Sequence, residues 1–336
     1  MKRIVIPIYV DWTDGIAHLS GGEDYAKGEN AKERSEYTLN QANKFFSACK
    51  RLIGAGYKPE IHVITGGSIE ANQELNERII ASAYEFGMPD LFKSVTTNYG
   101  GDMMVNSNKE GREAINIVTN IVPNPIQNEF VKSAELRELV SKNIPREYEM
   151  KFKEYEYYQC VNLANENITE KDFNNLVALL KAEFASKDIT IYAYYDPGYG
   201  LDIDFVPKNL TKGRAIDEIR KLFYVKDAPE LDPRFAKSNP GFMRPTESDI
   251  ALEIIMGDYA EVELVAIDHS MQNNVLFVAT EDNTGISEVL EGTELKTFIQ
   301  GKKLDALTQA LNHVVDEIEK NGALPDYSKG NYRAVK

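Results

Sequence analysis

Four polar clusters in this chain each follow an apolar run: Asp11-Trp12-Thr13-Asp14-Gly15, Thr65-Gly66-Gly67-Ser68, Thr211-Lys212-Gly213, and Gly257-Asp258 with Glu261 and Glu263 after it. Taken singly, each has a structural reading: Asp11 and Asp14 as turn formers before Gly15, Thr65 as a helix cap, Lys212 as a solvated first-turn lysine, Asp258 as a turn residue. Together they supply one chemistry. A carboxylate can attack phosphorus to form an aspartyl-phosphate, but two anions must first be brought together, so positive charge is required. Mg²⁺ held by two carboxylates and a backbone oxygen would clamp the phosphoryl group, and a lysine would neutralise further charge. A threonine hydroxyl with free N–H groups at a helix start would hold the remaining oxygens. Asp11, Asp258, Lys212 and Thr65 match these four needs.

Such groups must be delivered by strand ends. Ile4 to Val10 is a short Ile- and Val-rich run ending at Asp11, as a buried parallel strand does, with Pro7 the one feature against it. Apolar positions at helical spacing predict a helix over 36–56, closed at Gly54 and Gly56. Ile61 to Ile64 reads as a second strand, Ile69 to Phe86 as a second helix and Ser94 to Thr97 as a third strand before the Asn98-Tyr99-Gly100-Gly101 turn. Strand and helix in alternation predict a parallel sheet with helices on its faces, and ligands bind at the carboxyl ends of such strands.

The alternation then breaks. Residues 105–130 are rich in Asn and Pro, which suggests a connector. A helix over 132–142, an extended segment over 148–163, a helix over 169–186 with a Thr169-x-x-Asp172 start, and strands over 188–195 and 200–206 read as an inserted second domain. Alternation resumes with a helix over Thr211 to Phe223, a Pro-rich loop over 227–247, strands over Ala251 to Met256 and Val275 to Ala279, and a closing helix over 303–320. The expected division is a core of 1–105 and 207–336 around an insert of 106–206.

Composition narrows the function classes. The 336 residues are 43% hydrophobic and 27% charged, an ordinary globular balance. Thirty-eight Lys and Arg against 53 Asp and Glu give a net charge of -15, dispersed along the chain, which disfavours nucleic acid and anionic membrane as partners. Cys49 and Cys160 supply neither a disulfide framework nor a Cys-x-x-Cys site, so a reducing cytoplasm is the expected location. The apolar run after Met1-Lys2-Arg3 is short and lacks a small-residue cleavage site, and no run is long enough for a membrane helix. The four histidines never fall at i, i+4 spacing, against a zincin site.

With these residues in place, the sequence resembles the haloacid dehalogenase (HAD) superfamily, whose four motifs occur in this order. Val63-Ile64-Thr65-Gly66-Gly67-Ser68 is similar to the second motif. Asp202-Ile203-Asp204-Phe205-Val206-Pro207 with Thr211-Lys212-Gly213-Arg214-Ala215 is similar to the lysine motif of the subclass IIB sugar-phosphate phosphatases. Residues 94–101 look like that subclass's strand and Asn-Gly turn, with Tyr99 between Asn98 and Gly100. The resemblance implies an α/β fold: a Rossmann-like parallel-sheet core with an inserted α/β cap. It implies Asp11 as nucleophile, Thr65 as the phosphate hydroxyl, Lys212 as the neutralising lysine, and Mg²⁺ on Asp11, Thr13, Asp258 and Glu263. Gly66, Gly67 and Asn98 are the expected substrate contacts in the core.

The sequence departs from the family pattern twice. Thr13 stands where family phosphatases carry the aspartate that protonates the leaving group and activates water. P-type ATPases of the same superfamily share Asp-x-Thr, so phosphoryl transfer to Asp11 is permitted without that acid/base, and Asp14 is the candidate substitute. In the fourth motif the shorter spacing falls on Val262 and the longer on Glu263. On the cap, Tyr195 and Tyr199 flank Pro197-Gly198 and are expected to face a sugar, although alternate tyrosines also coat sheets with one wet face. The resulting expectation is a cytoplasmic Mg²⁺-dependent phosphohydrolase acting on a small phosphorylated metabolite, a sugar phosphate by preference. The alternatives are a catalytically degenerate protein binding a phosphorylated ligand or a protein, and a phosphotransferase or mutase.

Overall fold

The computed structural model describes residues 3–11, 31–67, 83–105, 129–165, 167–196, 200–224, 248–257, 274–280, 298–301 and 303–327. In chain order the elements are β1 (Arg3–Asp11), α1 (Ala31–Gly54), β2 (Lys58–Ile64), β3 (Phe92–Thr97), β4 (Asp102–Val105), α2 (Ala134–Asn143), β5 (Met150–Glu154), β6 (Gln159–Leu163), α3 (Glu170–Glu183), β7 (Ile189–Asp196), β8 (Gly200–Pro207), α4 (Lys212–Phe223), β9 (Ser248–Ile250), β10 (Glu253–Gly257), β11 (Val275–Thr280), β12 (Phe298–Gly301) and α5 (Lys303–Asn321). The chain divides into two compact units, Met1–Thr119 with Lys212–Lys336, and Asn120–Thr211. The smaller unit runs past residue 206 because Lys208 N–H bonds the Asp188 carbonyl and Leu210 N–H the Pro207 carbonyl, tying that turn to the β7–β8 pair.

The larger unit holds one sheet in the order β12-β11-β10-β1-β2-β3-β4, with β9 also beside β1. All neighbours are parallel except β3 and β4. Strands β9 and β10 both flank β1, and the register moves by one residue between Val5↔Ile250 and Ile8↔Ile254. Pro7 lies at the level of that shift, so its missing N–H falls where the ladder is already interrupted. The edge strands β4 and β12 and the short β9 were not expected, and of the helix expected over 69–86 the described part is 83–85.

The two faces of this sheet differ in chemistry. Alternation sends Ile6, Ile8 and Val10 of β1 to one side, where they join Val63, Ile254 and Val278 in a core closed by Phe45, Phe46 and Leu52 of α1 and Leu307, Leu311 and Val314 of α5. Arg51 of α1 ties the two helices through Asn312 and Asp316, both at 2.8 Å.

Tyr9, Glu60, His62, Ser94 and Glu253 are buried on the other side, which α4 covers. Tyr9 donates its hydroxyl to Glu253 Oε1 at 3.1 Å, and Arg220 of α4 reaches the same oxygen at 3.2 Å. Burial, then Glu253, holds the Tyr9 phenol well above its ordinary pKa.

In the smaller unit the antiparallel sheet has the order β5-β6-β8-β7. Leu163, Val161, Ile203 and Phe205 face α2 and α3, packing on Leu136, Phe173 and Leu180. Ser133 caps α2, and Thr169 caps α3 by accepting the Asp172 N–H at 3.2 Å, as the Thr169-x-x-Asp172 spacing predicts. The segment expected to be extended over 148–163 is a hairpin, because the chain reverses between β5 and β6 with Tyr155 N–H bonding the Tyr158 carbonyl. Cys49 and Cys160 are both free and buried. Among the described residues no helix is long and apolar enough to cross a membrane.

Burial, with a smaller contribution from Lys93, lowers the His62 pKa from 6.5 to about 3, so the folded protein keeps this imidazole neutral. The unfolded chain binds a proton there below 6.5, and the stability owed to the neutral ring is lost as pH falls from 6.5 toward 3. Urea titrations at pH 7.5 and pH 5 should show wild type losing about 2 kcal/mol more than His62→Gln. Equal losses would assign the acid sensitivity to other groups.

Candidate active site

Asp11 is the last residue of β1, opposite Ile64 of β2, and Val10 lies opposite Met256 of β10. Thr65 and Gly257 therefore emerge beside Asp11 at the carboxyl edge of adjacent strands, where parallel sheets place ligands. Lys212 opens α4, and its Nζ lies 3.2 Å from Asp11 Oδ1, with the two side chains 7% and 11% exposed. All four sequence clusters thus contribute a described residue to one edge: Asp11, Thr65, Lys212 and Gly257. The arrangement offers a carboxylate oxygen beside an ammonium that would share the charge of an incoming anion.

Thr65 is fixed by the strand next to it. Its N–H bonds the Thr96 carbonyl at 2.8 Å, and its own carbonyl accepts the Tyr99 N–H at 3.2 Å. The Asn98 N–H bonds the Gly67 carbonyl at 2.8 Å, so the 65–67 and 98–100 turns are stitched together. Gly67 donates its N–H to Thr65 Oγ1 at 3.2 Å, a bond internal to the turn. Gly66 is required by space: a Cβ there would stand 2.8 Å from Tyr99 Cζ.

Asn98, Tyr99 and Gly100 take φ of 52°, 54° and 95°, three consecutive left-handed residues of which only the last is glycine. Each non-glycine residue in this region costs about 1–2 kcal/mol. The conformation is held by burial of Tyr99 and by Asn98 Nδ2 donating to the buried Asp102 at 2.6 Å. That bond commits the amide nitrogen of Asn98, and among the described residues its Oδ1 has no partner. Tyr99, passed over in the sequence as a break in an Asn-Gly turn, is the residue that packs the two turns together. The signal available for it was a bulky side chain paired with a glycine-only position.

The remaining candidates divide. Thr13, Asp14, Tyr199, Asp258 and Glu263 lie outside the described residues. Of the expected Mg²⁺ ligands only Asp11 is described, and no group of three or more His, Cys, Asp or Glu able to hold a metal occurs among the described residues. Tyr195 packs against the helix-facing core, tilts on Phe173 and donates its hydroxyl to the Ile168 carbonyl at 3.1 Å. Strand alternation is the reason, since Tyr192 and Tyr194 sit opposite Asp204 and Asp202 and share the other face.

Because Gly66 and Tyr99 compete for the same space, Gly66→Ala should cost about 1–3 kcal/mol in denaturant unfolding. In a Tyr99→Gly background the same change should cost much less, and equal costs in both backgrounds would separate the two residues.

No protein-family model matches the chain, and no curated protein sequence matches it. Solved structures resemble it. The C-terminal domain of the trehalose synthase regulatory protein of Candida albicans superposes with a TM-score of 0.52 at 8% identity, over 93% of this chain and 94% of that one. A haloacid dehalogenase-like hydrolase from Bacillus subtilis gives 0.41 at 12% identity over 94% and 96% of the two chains. The C-terminal domain of C. albicans trehalose-6-phosphate phosphatase gives 0.46 at 12% over 94% and 93%. At 8% identity the likeness to the first of these is one of fold: an α/β architecture with a mostly parallel core sheet whose sequence is interrupted by a second α/β unit.

Proposed function

We propose that this chain is a HAD-type phosphohydrolase acting on a small phosphorylated metabolite through an aspartyl-phosphate on Asp11. The observation that carries the reading is the buried Asp11–Lys212 pair at 3.2 Å on the carboxyl edge of the central strands. An Asp11 oxygen attacks phosphorus, the P–O bond to the substrate breaks with its electron pair leaving on the ester oxygen, and water later cleaves the acyl phosphate to free Asp11 and inorganic phosphate. Lys212 lowers the repulsion between carboxylate and phosphoryl group, and Thr65 stands at the adjacent strand end to meet a phosphoryl oxygen.

Mg²⁺ would be held by Asp11, the Thr13 carbonyl, Asp258 and Glu263. It would supply further charge neutralisation at the phosphoryl oxygens. The sugar-phosphate class rests on the resemblance of Asp202 to Pro207 and Thr211 to Ala215 to the lysine motif of sugar-phosphate phosphatases.

A second reading, phosphate-ligand binding without turnover, is favoured by Thr13 at the acid/base position. Transfer to a second hydroxyl rather than water would make the same site a phosphotransferase. A phosphate-release assay over sugar and other metabolite phosphates, with and without Mg²⁺, separates these readings. Turnover should require the metal and fall by at least about a thousandfold in Asp11→Asn. Activity surviving that change would remove Asp11 as nucleophile. Thr13→Asp should raise hydrolysis by at least about tenfold, the low end of an acid/base contribution. A folded wild type silent across the panel, with phosphate still bound, would establish the binding protein.

A further inference from the structure

The α4-facing side of the core sheet contains a hydrogen-bond chain that phosphoryl chemistry at Asp11 does not use. His62 Nδ1 lies 2.8 Å from Ser94 Oγ, and its Nε2 lies 2.7 Å from the hydroxyl of Tyr224, the residue that follows α4. Tyr224 donates onward to Glu60 Oε2 at 3.0 Å, and the other Glu60 oxygen lies 3.3 Å from Lys58 Nζ and 3.9 Å from Lys93 Nζ. The direction of the protons follows from the acceptors. A carboxylate only accepts, so the single Tyr224 proton goes to Glu60, His62 Nε2–H donates to Tyr224, and Nδ1 accepts from Ser94. The imidazole is fixed as one neutral tautomer. Tyr9, two residues before Asp11, stacks on that ring at 5.6 Å, and Phe223 meets its edge at 4.9 Å.

We propose that His62 and Tyr224 are positioning residues that set where α4 sits on the sheet and thereby hold Lys212 against Asp11. Helix α4 is 12 residues long, with Lys212 at its first position and Tyr224 just past its last. It acts as a rod of about 18 Å, so displacement at one end is passed to the other. Apolar contacts alone, from Ile216, Ile219, Leu222 and Phe223, tolerate small slides, because burial is not directional. Hydrogen bonds of 2.7 and 3.0 Å do not. Arg220, bonded to Glu253 and through it to Tyr9, gives a second tie between the same helix and the strand that carries Asp11. A buried polar chain of this kind adds little stability over an apolar replacement, whereas it can specify one register.

The test uses the full chain as wild type, Tyr224→Phe, Lys212→Met and the double variant. Two readouts are taken: the rate of Lys212 acetylation by acetic anhydride, and the affinity for inorganic phosphate. The exposed Lys151 and Lys171 of the smaller unit serve as internal standards in peptide mass spectrometry. In Tyr224→Phe, Lys212 should acetylate about three- to tenfold faster while the standards stay constant, the scale expected for one or two lost hydrogen bonds. Phosphate should bind more weakly by a similar factor, and that loss should vanish when Lys212 is already Met.

An unchanged Lys212 rate in folded Tyr224→Phe overturns the positioning role, and so does a phosphate loss that persists undiminished in the Lys212→Met background. The phosphate arm rests on the phosphoryl reading of the Asp11 site: a wild type that binds no phosphate overturns that reading, and the acetylation arm then decides positioning alone. Should Tyr224→Phe fail to fold, the pair His62→Gln and His62→Leu replaces it. Gln keeps a donor for Tyr224 and should leave Lys212 protected, Leu removes it and should not, and equal rates in the two overturn the proposal.

Discussion

An ammonium and a carboxylate that are both nearly buried give up water for each other, and the exchange is favourable only when their geometry is held. The Asp11–Lys212 pair imposes that condition on the larger unit. Strand β1 meets it by lying in the interior of a parallel sheet, with β2 on one side and β9 and β10 on the other. Helix α4 meets it by starting at the lysine and being tied to the sheet near its far end through Arg220 and Tyr224. Loosening either element would leave a buried charge with a poorly placed partner, a larger penalty than the loss of an exposed ion pair.

The same edge explains the stitched turns. Thr65 has to stand beside Asp11 without a long side chain intruding, and Gly66 provides that space only because Tyr99 fills it. The left-handed run at 98–100 is the conformation that brings Tyr99 over Gly66 while its N–H reaches the Thr65 carbonyl. Strain of this kind persists where the surroundings over-determine the backbone, and here the Asn98–Asp102 bond and the buried ring do so.

Asp11, Thr65 and Lys212 were legible in the sequence because each is a polar residue at the end of an apolar run or the start of an amphipathic helix. Strand ends in a parallel sheet converge, so local pattern sufficed to bring them together. The interruption of the core was legible for a similar reason, since alternation stops after Thr97 and resumes near Lys212. What escaped was set by register between distant segments. His62 and Tyr224 are 162 residues apart in sequence, and nothing local to either marks the bond between them. Strands β4, β9 and β12 are too short to show a period. The face Tyr195 takes is decided by its parity relative to Tyr192 and Tyr194 rather than by its nearness to Pro197.

The two faces of the core sheet then separate stability from placement. The side under α1 and α5 is almost wholly apolar, and its packing supplies the burial on which folding depends. The side under α4 carries two buried glutamates, two tyrosines and a histidine that stays neutral down to about pH 3, all of which cost desolvation. An apolar layer there would hold the helix at least as firmly, so stability alone gives no reason for the polar one. What the polar layer adds is direction, with each bond satisfied at one depth and one rotation of α4. The helix so constrained is the one that begins with Lys212, and the strand beneath it is the one that ends with Asp11.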